Sequence, residues 1–299
     1  MKHPLGQSSQ PNETNHMTQN SSIDPSLYEY MTPGCLNGSS AFITGGGSGI
    51  GLSIAHTLAA LGANVGICGR RADKLKHAED ALSVYGGKIA TFAVDIRDAD
   101  AVCEALETCG RVNGPVNYLV CAAAGNFVAS AESMSSNAFK TVVEIDLLGT
   151  FHAAKGAFEQ LKATKGSALF ISAGQAFAPY YGQSHVGAAK AGIEMLMQTL
   201  ALEWGENSIG VNCIVPGPIS NTRGMEVLSG GEAEDFWVST VPMRRLGQAS
   251  EIANLSAFLA TPLADFITGT SIRVDGGQNL TGSSRFNEQV IQSLALKES

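Results

Sequence analysis

Thr44 to Gly51, reading TGGGSGIG, is the stretch best suited to hold a phosphate. Glycines are required where a chain turns left-handed and where a side chain would block a pyrophosphate, and the following helix then aims its free N–H groups at the anion. The spacing Gly45-x-x-x-Gly49-x-Gly51 departs from the G-x-G-x-x-G fingerprint, with Ile50 where the third glycine would stand. The turn follows an apolar run and opens a helical stretch, which favours nucleotide binding over a plain turn. Thr44, Gly45, Gly47, Ser48, Gly49 and Ile50 are therefore candidate cofactor contacts. The next apolar run ends Cys68-Gly69-Arg70-Arg71. A carboxylate there would suit a ribose 2′-OH, whereas arginine suits a 2′-phosphate. Cations at a helix start are unfavourable unless an anion joins them, so Arg70 and Arg71 point to NADP(H) rather than NAD; the alternative is a solvated pair. Asp95-Ile96, after the third run, is placed to meet an adenine, and Asp95 could equally be an N-cap.

Positioning these residues requires a sheet. Residues 40–44, 64–68, 88–94, 116–121, 167–172, 210–215 and 271–274 are short apolar runs suited to buried parallel strands. Between them lie helical patterns such as 51–62 and 251–260. The alternation implies right-handed βαβ units and an α/β fold: a single Rossmann-like, doubly wound parallel sheet of seven strands with helices on both faces. Ligands bind such sheets beyond the carboxyl ends of the strands. The expected organisation is a polar tail over 1–35, a catalytic body over 36–281 with a lid at about 221–240, and a C-terminal tail over 282–299.

The chain has 299 residues, 44% hydrophobic and 15% charged, with a net charge of −8. That is ample for a sizeable core and argues against disorder. The acidic balance argues against a nucleic-acid groove. Six cysteines lack CxxC spacing and read as reduced, mostly core thiols; no metal site is expected. No apolar run approaches a membrane span. The N-terminal stretch lacks a signal-peptide core, and Lys297-Glu298-Ser299 does not match the S-K-L address, so a cytoplasmic location is the expectation.

TGxxxGIG, the strand-end Asp95, the Ala122-Ala123 segment after the fourth strand, Lys190 and Pro216-Gly217-Pro218-Ile219 occur in order and together resemble the short-chain dehydrogenase/reductase family. The resemblance implies that Ala122, Ala123, Lys190, Pro216, Gly217, Ile219 and Thr222 also meet the cofactor. It implies an Asn-Ser-Tyr-Lys catalytic set, which here reads Asp146, Ala173, Val186 and Lys190. The tyrosine route for carbonyl reduction is therefore absent. CAAAGNF (121–127), NAFKTVVEIDLLGTF, HVGAAKAG and VPGPIS resemble the peroxisomal-type 2,4-dienoyl-CoA reductases, which also lack the tyrosine and carry aspartate for asparagine. Such enzymes reduce 2,4-dienoyl-CoA to 3-enoyl-CoA with NADPH, a step in degrading unsaturated fatty acids.

That reaction forms an extended enolate, so the site must stabilise charge at the thioester oxygen and protonate a carbon. Under the resemblance Asp146 would hold the proton-giving water and Lys190 would fix the cofactor ribose; alternatively Asp146 only props its helix. The sign of the Asp146 pKa shift is open, since Lys190 and burial oppose each other. His185 is a further catalytic candidate, with a structural role as its alternative. Asn126, Phe127 and Ser172 are candidate substrate contacts, though a turn asparagine beside a core phenylalanine would look the same. Gly230 and Gly231 could let the lid move, and Arg223, Arg244 and Arg245 could form a basic rim for CoA. The rival readings are a 2-enoyl-CoA reductase of the same family and a non-catalytic NADP-binding relative. The resemblance further implies a homotetramer.

Overall fold

The computed structural model describes residues 32–229, 234–281 and 283–298. The N-terminal stretch before Thr32 and the lid glycines Gly230 and Gly231 lie outside the described residues. Seven parallel strands form one sheet: β1 (Ser40–Thr44), β2 (Asn64–Gly69), β3 (Ile89–Ala93), β4 (Tyr118–Cys121), β5 (Ser167–Ile171), β6 (Gly210–Pro216) and β7 (Ser271–Val274). Their order is β3-β2-β1-β4-β5-β6-β7, so the chain reverses its direction of winding between β1 and β4. The strands fall where the apolar runs place them, with ends shifted by at most two residues.

Alternate residues of each strand serve opposite faces. Phe42, Leu119 and Phe170 join one core with α3 (Ala99–Asn113), α5 (Gly149–Thr164) and α6 (Ser184–Trp204). Ile43, Val120 and Leu169 join the other with α1 (Gly49–Ala60), α2 (Ala72–Leu82) and α9 (Ala249–Leu259). Burial on both sides explains why these strands read as continuous apolar runs. Cys68, Cys109, Cys121 and Cys213 are buried, and all six cysteines are free thiols. Burial pushes the Cys68 thiol up to about 12 and that of Cys109 up to about 11.

Three features depart from simple alternation. The helix before β5 is continuous from α4 (Ser136–Val143) into α5, but residues Glu144–Leu148 between them form a π-turn. The stretch expected to form a lid carries two short helices, α7 (Arg223–Ser229) and α8 (Glu234–Thr240). The stretch read as a C-terminal tail carries a helix, α10 (Ser284–Glu298). Phe286 and Val290, four apart and so on one helical face, are buried against Trp237 of α8. The ring centroids of Trp237 and Phe286 lie 5.7 Å apart. Among the described residues no helix is long and apolar enough to cross a membrane.

Candidate active site

β1 ends at Thr44, and the chain turns through Gly45 with φ of +69°. A Cβ on Gly45 would lie 2.9 Å from the Ala122 carbonyl and the Ala123 nitrogen, so only glycine lets the turn meet the end of β4. The Thr44 hydroxyl accepts the N–H groups of Ala122 and Ala123 at 3.1 and 3.2 Å. Thr44 is 1% exposed and braces the two strand ends instead of presenting its hydroxyl to a ligand. Gly51 packs on Gly45: an added Cβ would stand 2.6 Å from the Gly45 oxygen. Gly51→Ala is therefore expected to destabilise the fold by about 1–3 kcal/mol and to weaken dinucleotide binding, read by thermal melting and cofactor titration; an unaltered melt would show that the turn relaxes freely.

The space above the turn is open. At Gly49, with φ of +57°, a Cβ would meet only the Thr222 methyl, at 4.0 Å. Ser48 is the N-cap of α1 but makes no side-chain capping bond, and no acidic residue stands in the first turn. The first N–H groups of α1 are thus left without a side-chain acceptor at a positive helix end, which suits a pyrophosphate. Thr222 donates to the Ile219 carbonyl at 2.7 Å and sits across this cradle, just before α7. Ile219 itself is 3% exposed, so this residue can offer only backbone to a cofactor.

Arg70 and Arg71 are exposed, and neither forms a salt bridge among the described residues. Arg71 is the N-cap of α2, whose first turn holds Asp73, so part of the charge imbalance at this helix start is met within the protein. Asp95 does not cap a helix. Asp98 caps α3, accepting the Ala101 N–H at 3.0 Å, while Asp95 takes Arg97 at 2.6 and 3.0 Å. Arg97 holds the Asp95 carboxyl below the usual range against opposing desolvation. Ile96 is 7% exposed and packs under Gly149, where a Cβ would come within 2.7 Å of it; this side chain belongs to the core rather than to an adenine wall. Arg245 is taken by Glu251 at 2.6 and 2.7 Å, and Arg244 by the Ser239 carbonyl at 3.0 Å. Of the three arginines considered for a CoA rim, Arg223 shows no such bond among the described residues.

The centre of the site is an ion pair. The π-turn carries Asp146 inward to 0% exposure, where Oδ1 accepts the Gly125 N–H at 2.7 Å and Oδ2 lies 3.3 Å from Lys190 Nζ. Lys190, on α6 and 5% exposed, also donates to the Ile171 carbonyl at the end of β5, at 2.9 Å. Desolvation raises the Asp146 pKa, with Lys190 and the Gly125 N–H pulling the other way. Burial wins, which settles the sign left open by sequence. Val186 is 3% exposed, so apolar packing fills the position one turn before Lys190.

Around the pair, buried polar atoms lack hydrogen-bond partners of normal geometry among the described residues: Asn126 Oδ1, Ser172 Oγ, Gln183 Oε1 and both ring nitrogens of His185. An orphaned buried polar group costs about 1–3 kcal/mol, and such a concentration marks a place where a polar ligand or water completes the structure. His185, 0% exposed, stacks on Phe127 with centroids 4.1 Å apart. Burial lowers its pKa, and the Phe127 backbone offsets only part of this, so the ring is neutral at physiological pH. Gln183, which the sequence reading did not single out, is 1% exposed and donates from Nε2 to the Phe127 carbonyl at 2.6 Å. Its only sequence signal is a place two residues before His185 at the start of a helix.

Residues 45–279 match the family described as Enoyl-(Acyl carrier protein) reductase. The chain is 37% identical over 276 residues to the peroxisomal 2,4-dienoyl-CoA reductase of Saccharomyces cerevisiae, named as producing (3E)-enoyl-CoA, covering 89% of this chain and 94% of that one. It is 38% identical over 240 residues to a probable 2,4-dienoyl-CoA reductase of Bacillus subtilis, named as producing (2E)-enoyl-CoA, covering 79% of this chain and 94% of that one. The crystal structure of a short chain dehydrogenase from Bacillus anthracis superposes with a TM-score of 0.75 at 37% identity, covering 81% of this chain and 96% of that one. The yeast relative's name places it in peroxisomes, whereas the sequence default for this chain is the cytoplasm.

Proposed function

The chain belongs to the short-chain dehydrogenase/reductase family of oxidoreductases that use a nicotinamide cofactor, and from that premise we propose that it reduces 2,4-dienoyl-CoA thioesters to 3-enoyl-CoA with NADPH. The observation that carries this reading is the buried Asp146–Lys190 pair with valine and alanine where the family's proton-donating tyrosine and serine would stand. NADPH, when bound, supplies hydride to the remote end of the conjugated system. The cradle at Gly45–Gly51 and the start of α1 would hold its pyrophosphate, Arg70 and Arg71 its 2′-phosphate, and Lys190 its nicotinamide ribose.

The protein's own task is then to manage an enolate. The Asn126 amide and an N–H of neutral His185 are the donors for the thioester oxygen, stabilising charge as it develops. The proton goes to carbon. Oδ2 of Asp146 lies 3.3 Å from Lys190 Nζ, and burial raises the pKa of the carboxyl, so it can hold a water and pass a proton at a higher pH than an ordinary aspartate. Delivery to the carbon beside the thioester gives the 3-enoyl product and leaves the total of one hydride and one proton added. Exposed Leu148, Phe151, Met195 and Leu202, on the π-turn, α5 and α6, support a homotetramer built on those helices.

The reading is tested with purified protein, NADPH and defined thioesters. NADPH oxidation with a 2,4-dienoyl-CoA and recovery of the 3-enoyl isomer is expected. Preference for 2-enoyl-CoA would transfer the chain to the rival reductase, and no oxidation with dienoyl, 2-enoyl or ketoacyl thioesters would leave a cofactor-binding protein without this chemistry. Replacing Arg70 and Arg71 together by alanine should weaken NADPH binding by about tenfold or more, with NADH binding unchanged, in a fluorescence titration. Equal losses for both cofactors would assign the arginines to another role.

A further inference from the structure

Residues 122–130, after β4, have no regular secondary structure, yet they carry Asn126 and Phe127 against the reacting pair. On one side the segment is fixed by Asp146 Oδ1 on the Gly125 N–H. On the other it is fixed from the start of α6: Gln183 Nε2 donates to the Phe127 carbonyl at 2.6 Å, and the Gly182 carbonyl accepts the Ala129 N–H at 3.1 Å. A carbonyl can only accept, so the amide nitrogen of Gln183 must face it. The same Phe127 is held through its ring by His185, two residues further along. Gln183 also lines a cleft of about 310 Å³ with Ser130–Glu132 and Pro179–Gly182, and its Oε1 is a buried acceptor without a donor. Nothing in the folding of α6 requires a buried amide here, because a leucine would fill the volume with no polar group to satisfy.

We propose that Gln183 is a positioning residue for the reduction, clamping the Phe127 carbonyl so that Asn126 and the Phe127–His185 stack form a fixed wall beside Asp146. This rests on the acyl-CoA reductase reading. Gln183 touches no reacting atom. It acts by holding the donors for the thioester oxygen at one distance, and small displacements of such groups are expensive in rate.

Gln183→Glu and Gln183→Leu test the clamp. A protonated glutamic acid can donate its O–H to the Phe127 carbonyl, whereas the carboxylate faces that carbonyl with like polarity. The other titratable groups at this place are Glu132, Tyr180 and Tyr181 along the cleft and His185 on the Phe127 ring, with Asp146 and Lys190 at the far end of the segment through Gly125. All are common to wild type and variant, so rates are read as ratios to wild type at each pH. Gln183→Glu should approach wild-type turnover of a dienoyl-CoA in acid and lose about tenfold or more as pH rises, while Gln183→Leu should be low throughout. NADPH affinity should hold in both. Amide exchange over 122–130 in the NADPH complex should quicken in Gln183→Leu relative to wild type. A pH-independent ratio for Gln183→Glu, or unchanged exchange in Gln183→Leu, overturns the proposal. If wild type turns over no acyl-CoA, the functional reading fails instead, and the exchange measurement still decides whether Gln183 clamps the segment.

Discussion

Asp146→Ala should lower turnover of a 2,4-dienoyl-CoA by about a hundredfold to ten-thousandfold, the usual range for loss of a positioned proton-transfer group, while NADPH binding changes by no more than a few fold. The side chain is fully buried, holds the Gly125 N–H with one oxygen and leaves the other 3.3 Å from the Lys190 ammonium. The proposed function gives it two roles, a brace and a proton carrier, and Asp146→Asn separates them. Asparagine keeps an acceptor for Gly125, so the fold and the loop should recover, but it carries no exchangeable carboxyl proton. Turnover should therefore stay low in Asp146→Asn although the melting temperature returns towards that of wild type. Wild-type turnover in either variant would remove Asp146 from the mechanism and send the search for the proton to His185.

The second large effect belongs to Lys190→Met. Removing one member of a buried pair leaves the other uncompensated, which costs about 3–5 kcal/mol of stability. The loss should depend on pH with a definite sign. A carboxyl whose folded pKa lies above its unfolded value stabilises the fold at pH below the ordinary aspartate range, and that contribution is lost as pH rises through the folded value. In wild type Lys190 limits the rise. Without it the Asp146 pKa climbs further, so the gap in melting temperature between wild type and variant should be small in acid and widen towards neutrality. Combining Lys190→Met with Asp146→Asn should close most of that pH-dependent gap. A constant gap across the range would mean that Lys190 stabilises through its bond to the Ile171 carbonyl alone. Cofactor affinity should also fall in Lys190→Met, in contrast with Asp146→Ala.

The sheet was legible because burial on both faces writes itself as uninterrupted apolar runs such as SAFIT and SALFI, and each became a strand. The glycine turn was legible for a related reason, since close backbone approach at Gly45 and Gly51 admits no other residue. Side-chain direction was not. Thr44 and Ile96 fall at the expected ends of strands, but one is turned to the neighbouring strand end and the other into the core. Asp95 was read as a possible cap, three residues from the aspartate that does cap the helix. Gln183 was passed over because its importance lies in a partner far away in sequence, the Phe127 carbonyl. The helix at the C-terminus was missed although Phe286 and Val290 have the spacing for it, because its polar surroundings masked the stripe.

The π-turn at Glu144–Leu148 gives insertions and deletions a leverage here that substitutions lack. A turn closed by i→i+5 bonds encloses one residue more than the α-helical turns on either side. Deleting a single residue from it would leave an unbroken α-helix, with α5 still seated on the sheet. Because the turn absorbs its extra residue locally, α4 would keep nearly the same face towards α6, but the bulged backbone that carries Asp146 inward would be gone. The fold would survive on paper with every side-chain type intact, yet the carboxylate would no longer face the lysine. The position of Asp146 is therefore set by counting residues as much as by their chemistry.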